Sequence, residues 1–347
     1  MKKSRKEQAI EILKCFYECV ARRNDADFRK FVTTGYNNPN VLEICNYGNS
    51  CRGNIVYDIE AFGHSVGFFA EFLYVLIRLY FSDERGFVPY VNWGQDFLYH
   101  EDVPIRGEEN AFLHYFNQVS DIKNIEDAAY VVHSTKAQIA GVQTGLNTVG
   151  YAVSEEYINA LSRIIKKYIS YNEETLSYLK KNYDDLLDGK RTLAVHFRGS
   201  DFRRQYNNHP IFVSIEQGIE QVERILQKKD YEYIFLATDE QGAIDIYKKK
   251  FGDKVKYFED VCRVAEGDES VAYSYSKREN HHYLLGLEVI RDQYMLTRCE
   301  GLVGGISNLT LTAQMMKKAW YENGYDDLVI INSGLNSNDN RFSDAKH

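Results

Sequence analysis

From residue 192 onward the chain alternates short apolar runs with longer amphipathic ones, and few architectures accept that alternation. TLAVHF (192–197), YIFLATD (233–239), KVKYFE (254–259), GLVGG (301–305) and DLVIINS (327–333) have strand length and are bounded by polar or glycine-containing turns. Continuous apolar runs of this kind suit parallel strands covered on both faces. Between them lie VSIEQGIEQVERILQKK (213–229), QGAIDIYKKKF (241–251), YLLGLEVIRDQYMLTRC (283–299) and LTLTAQMMKKAWYEN (309–323). Their apolar residues recur at three- and four-residue steps, the helical period. Strands alternating with helices predict a doubly wound, mostly parallel α/β sheet. Ligands in such sheets bind at the carboxyl ends of the strands, near the reversal of strand order. Three clusters fall at strand ends here: His196 to Asp201, Thr238 to Glu240, and Gly304 to Asn308.

The first half carries a weaker version of the same pattern. NIVYDIE (54–60) reads as a strand, AFGHSVG (61–67) as a turn, SVGFFAEFLYVLIRLYF (65–81) as a buried helix and FVPYVNW (87–93) as the next strand. AAYVVHS (128–134) fits a further strand, and residues 154–186 form one long amphipathic helical stretch that ends in the turn signal DGKR. The domain boundary is placed there, giving an N-terminal α/β domain (1–186) and a C-terminal Rossmann-like domain (187–347). Near the start, Ile10, Leu13, Tyr17 and Val20 describe an amphipathic helix. It is expected to pack on the body of the protein, with peripheral contact with an anionic membrane as the minority reading. The last residues, GLNSNDNRFSDAKH, are expected to be a frayed polar tail.

Composition removes several classes. The net charge of −8 leaves no global basic field, so no nucleic-acid partner is expected. Six cysteines form no CxxC pair and meet no histidine at zinc-finger spacing, which fits buried thiols in a reducing cytoplasm. Glu7, Glu11 and Glu18 interrupt the first helix, so it is not a signal peptide, and no apolar run reaches membrane-spanning length. The only Asp-x-Asp pair, Asp25-Ala26-Asp27, reads as a solvated turn, so no metal is expected on a diphosphate.

HFRGSDF (196–202) is the cluster with the most chemistry. A strand-end Arg198 suits a diphosphate, because its planar fork donates two parallel bonds to phosphate oxygens, and Gly199 allows close backbone approach. His196 could meet a base or ribose. A local Arg198–Asp201 ion pair with His196 satisfied in the core fits the spacing equally. GGISN (304–308) ends a strand in glycines and opens a helix at Ser307-Asn308, which makes an anion site or an ordinary cap. In ATDE (237–240), Asp239 could face a ribose or acceptor, and Glu240 reads as a helix start. No GxGxxG or phosphate-loop lysine follows a strand.

With these motifs in place, the chain resembles the GDP-fucose-dependent α-1,6-, α-1,2- and protein O-fucosyltransferases. VHFRGSDF is similar to their His-x-Arg-x-x-Asp loop. His209-Pro210, ATDE, a helix with Asp292 and LVGGISNLTLTAQMM follow in the order of the α-1,6 group. The resemblance covers roughly residues 191–320. In the first half, Gly63 and His64 of AFGHSVG and Asn110 of ENAFLHYF (109–116) look related, on the acceptor or cleft side. The resemblance implies a GT-B-like fold, two Rossmann-like domains facing a central cleft, and an inverting transferase using GDP-fucose as donor substrate with a glycan acceptor. It implies no metal or other cofactor. Arg198 would bind the β-phosphate, His196 and Asp292 the guanine, and Ser307 with Asn308 the diphosphate. Asp239 and Gly199 would complete the donor site. One departure stands out: the loop RRQYNN (203–208) has no glutamate where the α-1,6 enzymes carry a base. Asp201, Asp239 or Glu60 would replace it, or a dissociative route would be carried by Arg198. Arg203 and Arg204 read as solvated loop charges. Two alternatives stay open, a GT-B transferase of another nucleotide sugar and a non-catalytic nucleotide-sugar-binding protein.

Overall fold

The computed structural model describes residues 5–21, 23–24, 41–45, 54–63, 66–134, 154–264, 270–274, 276–321 and 323–340. Strands β1 (Val41–Cys45), β2 (Val56–Glu60), β3 (Val88–Asn92) and β4 (Val131–Ser134) form one sheet in the order β1-β4-β2-β3. Within it β2 runs parallel to both β3 and β4, and β1 is antiparallel to β4. Strands β5 (Thr192–Phe197), β6 (Tyr233–Thr238), β7 (Val255–Lys256), β8 (Gly301–Gly305) and β9 (Asp327–Ile331) form a fully parallel second sheet, β7-β6-β5-β8-β9. The helices of the described residues are α1 (Arg5–Ala21), α2 (Phe68–Arg85), α3 (Glu155–Tyr168), α4 (Glu173–Leu187), α5 (Ile215–Leu226), α6 (Gln241–Phe251), α7 (His281–Arg298) and α8 (Asn308–Trp320). None of these is long and apolar enough to cross a membrane.

The second sheet is doubly wound, as its alternation predicts. Leu193, Val195, Ile234 and Val303 face α5 and α6 through Val222, Ile244 and Tyr247. Ala194, Phe235 and Leu302 face the opposite side and join α7 and α8. That cluster does not stop at the second sheet. It continues through α8 onto α3 and α2, and reaches Tyr57 and Ile59 of β2, so both halves share one apolar core. The turn at residues 188–191 begins where α4 ends, with Asp188 in the left-handed conformation.

Four local expectations change. The stretch 154–186 is two helices, because Asn172 breaks it by accepting a bond from Thr175 N and capping α4. The third C-terminal strand shrinks to Val255–Lys256. The tail is fastened to the body over its described residues, which run to Asn340. Asn336, Asn338 and Asn340 donate their amides to the carbonyls of His209, Pro210, Gln205 and Arg204. Finally, α1 does not bury its apolar stripe on the body: Leu13, Phe16 and Tyr17 are 66–70% exposed. The Asp25-Ala26-Asp27 turn and the side chains of Cys15 and Cys19 lie outside the described residues.

Candidate functional site

In the second sheet β5 lies between β6 and β8, so the chain turns one way through β6 and β7 and the other through β8 and β9. The crevice between the carboxyl ends of β5 and β8 is the switch point at which such sheets bind ligands. A pocket opens there, lined among others by His196, Arg198, Phe202, Val213, Gly305 and Ser307. Two of the three clusters read from the sequence thus meet in one cavity.

The register of β5 on β8 sets His196 level with Gly304. The imidazole is buried, and its Nδ1 lies 3.3 Å from Ser307 Oγ. Burial, aided by the Arg198 charge and opposed by Asp239, lowers its pKa to about 4. The ring is therefore neutral at ordinary pH and able to accept as well as donate. Ser307 caps α8 through a reciprocal capping box with Thr310. That box consumes the amides of Ser307 and Thr310 and leaves those of Asn308 and Leu309 at the positive end of the helix. Asn308 is the first helical residue, outside the pocket lining.

Arg198 is paired with Asp239. Its Nη1 lies 3.6 Å from Asp239 Oδ2, Nη2 donates to Ser270 Oγ at 3.4 Å, and the guanidinium sits 5.8 Å from the Phe202 ring centroid. Asp239 also accepts from Gly199 N at 2.9 Å and Ser200 Oγ at 2.6 Å. One carboxylate at the end of β6 thus orients both the arginine and its loop. The side chain of Asp201 lies outside the described residues; its backbone opens a 3-10 turn, Asp201–Arg204.

Glu240 stands at the helix start expected of it and takes a further role there, whereas Arg203 departs from its expected one. Glu240 occupies the N-cap position of α6 but makes no capping bond. Its buried carboxylate instead accepts two bonds from Arg203, at 2.8 and 2.9 Å, and Arg203 lies over the Phe212 ring. Arg203 is therefore a fixed, forked structural pair and no solvated loop charge. Gly199 has the matching constraint: a Cβ there would lie 2.0 Å from the Glu240 carboxyl carbon. The close approach that requires glycine is to this carboxylate.

Asp292 is carried by α7 and is not among the residues that line this pocket. Burial raises its pKa to about 7 against the lowering charges of Arg291 and Arg263. Arg291 itself is forked onto Asp260, at 3.0 and 2.5 Å. On the first sheet, Gly63 follows β2 with φ +155°, and its neighbour His64 is outside the described residues. Both oxygens of the buried Glu71 accept from Phe62 N at 2.9 Å and hold that turn. Asn110 bonds to backbone on both sides of its amide: its Oδ1 accepts from Trp93 N and Phe112 N, and its Nδ2 donates to Val91 O.

One cluster escaped sequence reasoning. Asp58 of β2 stands level with His133 of β4, and His133 Nδ1 donates to Asp58 Oδ2 at 2.8 Å, with Glu60 Oε1 at 3.9 Å. The one available signal was an aspartate inside the apolar strand VYDIE, a position that ordinarily rejects charge.

No protein-family model matches this sequence, and no curated protein sequence does. Solved structures do match. A NodZ alpha-1,6-fucosyltransferase co-crystallised with GDP superposes with TM-score 0.44 at 16% identity, covering 75% of this chain and 91% of that one. Fucosyltransferase NodZ from Bradyrhizobium gives 0.41 at 16% identity, over 75% and 92%. POFUT1 in complex with GDP gives 0.42 at 12% identity, over 82% and 98%.

Proposed function

We propose that the protein is an inverting, metal-independent fucosyltransferase that moves L-fucose from GDP-fucose to a hydroxyl of a glycan acceptor. The observation that carries this reading is the convergence of His196, Arg198 and the capped N-terminus of α8 on one pocket at the switch point. A helix N-terminus and an oriented guanidinium together supply what a diphosphate leaving group needs. The resemblance of VHFRGSDF to the fucosyltransferase loop supplies the identity of the nucleotide and sugar.

In the proposed reaction the acceptor oxygen bonds to the anomeric carbon as the bond from that carbon to the β-phosphate oxygen breaks. Arg198, oriented by Asp239 and Ser270, neutralises the charge developing on GDP. Ser307 and the exposed amides of α8 hold the diphosphate, and neutral His196 addresses the base or ribose. Asp239 is occupied by Gly199, Ser200 and Arg198, which removes it as a base. Asp201, on the loop that carries Arg198, is the proposed acceptor of the hydroxyl proton. The two sheets would face each other across the donor–acceptor cleft, the N-terminal one on the acceptor side.

The test is transfer from GDP-fucose to a panel of glycans by wild type and Arg198→Lys. The substitution keeps the charge and loses the planar fork, so transfer should fall by about 100-fold or more. A near-wild-type rate removes Arg198 from the mechanism. Fucose transfer to no acceptor of the panel, with GDP still bound, favours a nucleotide-sugar-binding protein.

A further inference from the structure

The first sheet carries a constellation that the donor site does not use. Asp58 and Glu60 project from the same face of β2, two residues apart, and the parallel register of β4 places His133 beside Asp58. One ligand-capable atom from each lies within 4.8 Å of the other two. Asp58 is 1% exposed, and its Oδ1 accepts no hydrogen bond among the described residues.

Two carboxylates thus flank one imidazole. A buried carboxylate oxygen that accepts no hydrogen bond is costly, and a bound cation offsets that cost. The cluster is also reachable, since the side chains of His133 and Glu60 are 18% and 43% exposed while Asp58 is sealed.

We propose that Asp58, Glu60 and His133 form a binding site for a divalent first-row cation, Zn²⁺ in particular. One imidazole nitrogen with two carboxylate oxygens is a borderline donor set that suits Zn²⁺, whereas Ca²⁺ and Mg²⁺ ask for more oxygens. The dication neutralises both carboxylates and takes the place of the proton between His133 Nδ1 and Asp58. Water completes the shell on the Glu60 side. The site is separate from the diphosphate pocket and does not rest on the donor-site reading.

The test uses the full chain without a polyhistidine tag, stripped with chelator, dialysed against ZnCl₂ and analysed for metal content and thermal stability. The wild type should retain about one Zn²⁺ per chain and melt at higher temperature with it. Glu60→Gln, at a half-exposed position that tolerates the change, and His133→Ala should each lose about tenfold or more in affinity. Arg198→Ala should retain the metal. A visible absorption band on Co²⁺ substitution, absent in His133→Ala, would report nitrogen ligation. Wild-type protein that takes up no stoichiometric zinc overturns the proposal. So does equal uptake by the Glu60 and His133 variants.

Discussion

At Gly199 the space a side chain would need is already taken, because the Glu240 carboxyl carbon stands 2.0 Å from the ideal Cβ. That carboxylate is forked onto Arg203 and buried, so it cannot give way without breaking the pair. Gly199→Ala should therefore destabilise by about 1–3 kcal/mol, measured by urea unfolding. A change below a few tenths would show that the pair yields freely. Glu71 makes a different prediction. Burial raises its pKa from 4.5 to about 7 in the folded protein. Below pH 4.5 the group is protonated in both states. Between 4.5 and 7 the folded chain keeps a proton that the unfolded chain has released, so stability falls as pH rises across that window. The loss is on the order of 3 kcal/mol. Glu71→Gln should flatten it, and an unchanged pH profile would refute the assignment. The sequence made His196, Arg198 and Ser307 legible because each sits at a strand end within one local motif. It could not reveal that Asp239 orients Arg198, or that Asp58 meets His133 across two strands. Those partners are distant in sequence, and only sheet register brings them together.

Among elements, the strands read best where both faces are buried. TLAVHF and GLVGG match β5 and β8 residue for residue, since a continuous apolar run between turns has one good use in a parallel sheet. The tail shows the opposite. Asn336, Asn338 and Asn340 read as polar ending, yet alternate residues fasten the 204–210 loop by donating to its carbonyls. Composition could not distinguish solvation from this strapping, because asparagine serves both. Asn336 is 8% exposed, and its amide serves both His209 O and Pro210 O. Asn336→Ala should cost about 1–3 kcal/mol by leaving those carbonyls unpaired. Equilibrium unfolding checks this, and a neutral result would show that the strap is decorative. Ser307→Ala removes the cap of α8 and should cost about 1 kcal/mol while weakening nucleotide binding. Lost stability with unchanged nucleotide affinity would confine Ser307 to capping.

Over the whole molecule, α4 ends at Leu187, close to the residue at which the sequence reading divides the chain, and the apolar core runs on across that point. α8, from the C-terminal half, packs on α3 and α2 of the other half. A periodicity argument sees each helix's apolar face and not its partner, so this sharing was invisible in the sequence. The chain should consequently unfold in one transition, with far-UV circular dichroism and the fluorescence of its 2 tryptophans coincident. Two separated transitions would show that the halves are energetically independent. The central claim concerns the pocket between β5 and β8, and nucleotide binding tests it most directly. Thermal stability would be followed with GDP, GDP-fucose, GDP-mannose, UDP and ADP, with and without EDTA, for wild type beside Arg198→Ala. A ligand at one hundred times its dissociation constant stabilises by about 2.7 kcal/mol, which such a measurement resolves. The account predicts an added increment with the GDP nucleotides alone, unchanged by EDTA and lost in Arg198→Ala. No increment with any nucleotide, or an equal one in the variant, would contradict it.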